Sequence, residues 1–162
     1  MKTKTEKSTK MNHVRNTLFP ILSIAALVAS GMSGFAHEKG EVVRGPNGGR
    51  VLTNVEPHAE FFVTTDRKVQ ITFVTDDNKV VAPESQVVTV TAGDRSAPTK
   101  LTFTKIGDHL ISAEVLPPGN DFPTVVQIKA NAEAKPIASK FQLNLANCSG
   151  CNSPEYACTC AH

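Results

Sequence analysis

The stretch Lys68-Val69-Gln70-Ile71-Thr72-Phe73-Val74-Thr75 decides the fold class, because Val69, Ile71 and Phe73 fall on one side of an extended chain and Lys68, Gln70 and Thr72 on the other. A helix would scatter these residues around its axis, whereas a strand sends successive side chains to opposite faces. The same period of two appears in Leu101/Phe103, Ile111/Ala113/Val115 and Val126/Ile128/Ala130, and in Phe141/Leu143/Leu145 set against Lys140/Gln142/Asn144. Further extended segments are predicted over 50–55, 58–65 and 86–91, giving about eight short strands rich in β-branched residues. Turn chemistry separates them at Gly45-Pro46-Asn47-Gly48-Gly49, Asp76-Asp77-Asn78, Ala92-Gly93-Asp94 and Pro117-Pro118-Gly119-Asn120-Asp121. No helix of useful length is expected in the body. The reading is all-β: a single antiparallel β-sandwich of immunoglobulin-like type followed by a Cys-rich C-terminal tail, with a small barrel as the alternative.

The amino terminus bears on compartment. Lys2, Lys4, Lys7, Lys10 and Arg15 precede an apolar run over 18–28, and Gly34 and Ala36 fit the small-residue rule for a signal peptidase. The run is too short for a permanent span, which takes roughly 20 apolar residues. The expected organisation is a signal peptide over 1–36, a polar leader over 37–44, a β-sandwich domain over 45–146 and a Cys-rich candidate metal-binding tail over 147–162. The product would be periplasmic or secreted, with no membrane span after cleavage. Met11 offers an alternative start.

Removal of 36 of the 162 residues leaves 126, enough for one domain with a real core. This mature segment carries 12 Lys+Arg against 14 Asp+Glu, a net charge of −2 with neutral histidines. No basic stripe supports nucleic-acid binding.

All four cysteines lie in Cys148-Ser149-Gly150-Cys151-Asn152-Ser153-Pro154-Glu155-Tyr156-Ala157-Cys158-Thr159-Cys160, and His162 follows them. The Cys148-x-x-Cys151 turn places two thiolates on one ion. An extended Cys158-x-Cys160-x-His162 presents its three donors on one side. These five residues are the candidate ligands for copper or zinc: zinc takes four of them tetrahedrally, and copper(I), a softer ion, suits a thiolate-rich set equally well. The competing reading is structural, since exported chains with an even number of cysteines oxidise them pairwise. Of the three connectivities, Cys158 to Cys160 is the poorest, because an extended Cys-x-Cys places its Cα atoms roughly 6.5 to 7 Å apart, the edge of disulfide geometry. A disulfide does most when it closes a long loop, and here it would staple only the tail to itself, which favours a metal site. A thiol-exchange role for Cys148-x-x-Cys151 lacks the helix start that lowers a thiol pKa.

Secondary metal candidates are His37, whose imidazole and α-amine would form a chelating pair after cleavage, and His58, which shares a strand face with Glu60 and Phe62. A mobile terminal histidine and a rim histidine beside an acid are the plainer readings of these two. His109 reads as an edge residue. The 45–49 turn lacks the lysine and helix of a phosphate loop, and Asp76-Asp77-Asn78 lacks the calcium-loop spacing. No serine, histidine and acid stand in a nucleophile arrangement, so no enzymatic activity is expected.

Gly45-Pro-Asn-Gly-Gly-Arg-Val-Leu52, His58-Ala-Glu-Phe-Phe-Val63 and Lys68-Val-Gln-Ile-Thr-Phe73 together resemble an N-terminal β-segment of periplasmic adaptor subunits of heavy-metal efflux pumps, and small exported proteins that open the same way. The resemblance covers about 30 residues. It implies an envelope location and a partner in heavy-metal efflux or another envelope protein. The long coiled-coil hairpin and lipoyl-like halves of adaptors are missing, and the Cys-rich tail is not part of that pattern. The functional expectation is an exported buffer, carrier or efflux accessory for a thiophilic ion. The alternative is a non-enzymatic envelope interaction module closed by two disulfides.

Overall fold

The computed structural model describes residues 42–160. The expected signal peptide, His37 and His162 lie outside the described residues. Ten strands occur in chain order: β1 (Val43–Arg44), β2 (Arg50–Leu52), β3 (His58–Val63), β4 (Val69–Val74), β5 (Val80–Val81), β6 (Val87–Ala92), β7 (Thr99–Ile106), β8 (His109–Ser112), β9 (Asp121–Lys129) and β10 (Ile137–Asn144). A single 3₁₀ turn, Glu155–Ala157, is the only helical element among the described residues.

The all-β antiparallel class is the one the alternation predicts. The strands follow one continuous hydrogen-bonded path, β1-β2-β3-β4-β8-β7-β6-β9-β10, with β5 branching from β4. This curled, half-barrel sheet takes the place of the two separate sheets expected of an immunoglobulin-like sandwich. Strands β7 and β8 make the difference, because their hairpin pairs β8 to β4 and β7 to β6 and so bridges the two halves.

The core lies inside the curl. Phe61, Val69, Ile71, Phe73, Val90, Leu101, Val126 and Leu143 are all fully buried there. The predicted stripe Val69/Ile71/Phe73 is thus the inward face of β4. Leu143 of β10 is buried, while Phe141 of the same strand and Leu145 just past its end are partly buried and pack against the core.

The stripe Ile111/Ala113/Val115 is corrected. The buried positions are Leu110, Ser112 and Leu116, while Ala113 and Val115 are exposed. Ser112 turns inward because its hydroxyl accepts the Val69 N–H (2.9 Å) and donates to the Glu114 carbonyl (2.7 Å), so a polar side chain continues the ladder where backbone pairing stops.

The glycine turn before β2 folds over the outer face of β3 and β4. Glu60 points outward from β3 yet is fully buried, because Asn47 and Gly49 cover it. Its carboxyl group accepts the Asn47 N–H (2.9 Å), the Asn47 side-chain amide (2.7 Å) and the Gly49 N–H (2.7 Å). A Cβ on Gly45 would fall 2.3 Å from the Glu60 carboxyl carbon, and one on Gly49 2.3 Å from the Phe61 carbonyl oxygen. The turn is therefore glycine-rich so that backbone can close on a buried acid. The last residues of the expected leader join the sheet, with Val43 opposite Val51.

Candidate metal centre

The Cys-rich tail is folded against the body. Past β10 the chain forms a narrow hairpin in which Asn147 bridges Pro154 and the Glu155 N–H bonds to the Ala146 carbonyl (2.8 Å). Within its loop the Cys148 N–H donates to the Ser153 carbonyl (2.7 Å), and Asn152 takes a positive φ of 55° to complete the reversal. The 3₁₀ turn then drives Tyr156 and Ala157 into the main core.

Tyr156 is the anchor that the sequence reading missed. Strand β2 stops opposite Phe61, so the end of β3 lacks a neighbour on that side. The Tyr156 hydroxyl accepts the Val63 N–H there (3.1 Å). The ring meets Phe61 edge-on at 6.0 Å, and Phe61 meets Phe141 of β10 in the same manner at 5.3 Å. The tail thereby fills the seam between β3 and β10. Burial raises the Tyr156 phenol above its ordinary value. A lone tyrosine in a polar, cysteine-rich segment was the available signal, since such a ring needs a surface to cover it.

That anchoring returns the chain to the Cys148–Ser153 loop. The four sulfurs of Cys148, Cys151, Cys158 and Cys160 all lie within 4.8 Å of one another. Cys158 and Cys148 are 3.1 Å apart and Cys151 and Cys158 3.5 Å, so none of these contacts is a disulfide bond, for which sulfurs stand about 2.05 Å apart. Cys148 and Cys158 are buried, whereas Cys151 and Cys160 are half-buried.

A regular pattern of backbone donors surrounds the sulfurs. The Gly150 N–H donates to Cys148 Sγ (3.4 Å), and the Cys160 N–H to Cys158 Sγ (3.3 Å). The Ser153 N–H is directed toward the Cys151 sulfur, and the Ser153 hydroxyl donates to the Cys151 carbonyl (3.3 Å). In each case the donor lies two residues after the cysteine, and such bonds stabilise a thiolate or a metal-bound sulfur. Gly150 sits where a Cβ would come 3.3 Å from Cys160 Sγ, so the loop leaves room for that side chain.

The thiols titrate as a group. Hydrogen bonds from Ser153, then from Cys158 and Cys160, lower Cys151 to about 6. Donation to Cys148 pushes Cys158 up to about 12, and donation to Cys151 raises Cys160. A bound ion would displace the protons of these thiols.

The donor set fits a tetrahedral thiophilic ion. Four sulfurs each about 2.3 Å from zinc stand about 3.8 Å apart, and here all four lie within 4.8 Å of one another, with two pairs at 3.1 and 3.5 Å. Four of the five expected ligands therefore converge, and the fifth, His162, lies outside the described residues.

The secondary candidate His58 belongs to a different place. Its Nδ1 lies 2.8 Å from the Val55 carbonyl, and its Nε2 lies 3.2 Å from an Asp76 oxygen, with Glu56 also within 3.4 Å of the ring. Glu60, its expected neighbour, is engaged by the glycine turn instead. His109, expected at an edge, begins the interior strand β8 between Thr72 of β4 and Ile106 of β7, and its ring contacts Asp108 at 3.1 Å.

No protein-family model matches the chain, and neither a curated protein nor a solved structure is detectably similar to it. No helix among the described residues is long and apolar enough to cross a membrane.

Proposed function

We propose that this chain is an exported binder of a thiophilic metal ion, Cu(I) or Zn(II), which buffers the ion or carries it to a partner such as a heavy-metal efflux system. The observation that carries the reading is the convergence of four thiol sulfurs, drawn from two ends of a folded segment, within 4.8 Å and short of bonding. Two features support it. Backbone donors are already directed at three of the sulfurs, as metal–thiolate sites require. The tail is also tied into the core through Tyr156, so the ligands are held by the fold. The role is non-enzymatic, and the efflux connection and export rest on the amino-terminal resemblance and the signal-like leader.

The test is elemental analysis and native mass spectrometry of mature protein purified without oxygen. One ion per chain is expected, with loss of tight binding in a Cys148→Ser/Cys151→Ser variant. Full stoichiometry in that variant would remove these two residues from the site.

The second reading, an envelope interaction module with a disulfide-closed tail, is favoured by the 3.1 Å approach of Cys148 and Cys158. It predicts two unreactive, metal-free disulfides in freshly isolated protein, which thiol titration detects.

A further inference from the structure

We infer that Glu56, His58 and Asp76 form a second cation site, open to solvent and suited to a divalent ion of borderline softness such as Zn(II). The inference goes beyond the thiolate cluster and does not depend on it.

Three donors meet from two separate parts of the chain. Glu56 and His58 flank Pro57 where the chain enters β3, and Asp76 lies in the turn that joins β4 to β5. The pairing of His58 with Val74 brings that turn over the start of β3. The turn is fixed by the Thr75 N–H bond to the Lys79 carbonyl (2.9 Å) and the Asn78 N–H bond to the Thr75 carbonyl (2.8 Å). The Asn78 side chain ties it to the Arg44 carbonyl (2.9 Å). One donor atom from each of Glu56, His58 and Asp76 lies within 4.8 Å of the other two.

The imidazole is already oriented as a ligand. Its side chain is 18% exposed, and Nδ1 lies 2.8 Å from the Val55 carbonyl. A carbonyl oxygen only accepts, so Nδ1 carries the hydrogen, and a bond of this kind is what fixes the ring of a metal-binding histidine. Nε2 is left facing an Asp76 carboxylate oxygen at 3.2 Å. A nitrogen and an oxygen each about 2.0–2.1 Å from zinc at a tetrahedral angle stand about 3.4 Å apart, close to that spacing.

Charge supplies a separate reason. Glu56 lies 3.4 Å from Nδ1, so two carboxylates converge on one imidazole. Among the described residues neither carboxylate has a lysine or arginine nitrogen within 4.0 Å. One imidazole, even when charged, offsets only one of the two negative charges, whereas a divalent cation offsets both. Both carboxylates are largely exposed, so they turn freely toward an ion and leave its remaining positions to water. Imidazole and carboxylate donors suit a borderline divalent ion, in contrast to the soft ions that suit the four sulfurs.

The experiment titrates Zn(II) into the full mature protein, reduced and isotope-labelled, and follows the histidine ring nitrogens by NMR, with His58 assigned through a His58→Gln variant. Native mass spectrometry counts the bound ions in parallel. The His58 Nε2 resonance is expected to move to that of a metal-bound nitrogen at micromolar Zn(II), with Nδ1 still carrying its hydrogen. In Glu56→Gln/Asp76→Asn, two exposed changes that keep side-chain size, the backbone amide spectrum should stay native. The His58 response there should need roughly tenfold more Zn(II) or greater, since loss of even an outer-shell partner weakens a site that much. A His58 ring that does not respond, an equal response in the double variant, or a response only at millimolar Zn(II) reduces the cluster to a surface ion pair and overturns the site. In Cys148→Ser/Cys151→Ser the His58 response is expected to be unchanged, whether or not the native thiols bind an ion. Its loss there overturns the site as an independent centre.

Discussion

Replacing Tyr156 by phenylalanine tests whether the sulfur tail is part of the folded body. The ring stays, and with it the edge contact to Phe61 at 6.0 Å. What is lost is the oxygen that accepts the Val63 N–H at 3.1 Å. A buried donor left without a partner costs about 1–3 kcal/mol, and the half-buried setting of Val63 lets water recover part of that, so about 1–1.5 kcal/mol is expected. For a domain of this size that is a fall in Tm of roughly 3–8 °C. Tyr156→Ala also removes the ring from the core, and about 3–5 kcal/mol is expected. Urea titration of the ion-free, reduced protein, followed by circular dichroism, measures both. Because docking of the tail and gathering of the sulfurs use the same segment, the alanine variant should also bind the ion more weakly, and added ion should restore part of its stability. A phenylalanine variant within about 0.3 kcal/mol of native, together with an alanine variant of native ion affinity, would refute the idea that Tyr156 anchors the site.

Other consequences are equally specific. Gly49→Ala should cost about 3 kcal/mol or more, because its Cβ would sit 2.3 Å from the Phe61 carbonyl oxygen, whereas Gly107→Ala, with nothing within 4 Å of its Cβ, should cost about 1 kcal/mol for its positive φ; thermal melts compare them. Stability should fall at alkaline pH: the Tyr156 phenol has a raised folded value, so its contribution is complete below the free phenol value of about 10 and is lost as pH rises through the elevated one, and Tyr156→Phe should flatten that limb of a pH-dependent urea series. Acid should release the ion, because protons compete for the ligand sulfurs; retention measured by gel filtration and elemental analysis should fall as the pH is lowered and recover on neutralisation.

The alternation of Val69, Ile71 and Phe73, and of Phe141, Leu143 and Leu145, announced strands and their inward faces because a curled sheet still has one dry side. Three features were hidden for physical reasons. Ser112 takes a buried position by hydrogen bonding, so hydrophobicity assigns the wrong face to β8. Glu60 reads as a surface acid until the glycine turn supplies its donors, a contact between residues 11 to 13 positions apart. The two-residue strands β1 and β5 are too short for any periodicity. At the site, the four cysteines were legible from spacing and softness, but not the hairpin that faces one pair toward the other. That geometry depends on Tyr156 meeting Phe61 and Val63, a long-range contact that local spacing does not encode.

The most direct measurement is metal-edge X-ray absorption on mature protein isolated without oxygen and loaded with one equivalent of Zn(II). A first shell of four sulfurs at about 2.3 Å is predicted, reduced in number when Cys148 and Cys151 are both replaced by serine. A shell of nitrogen and oxygen donors, or an unchanged sulfur shell in that double variant, would contradict it.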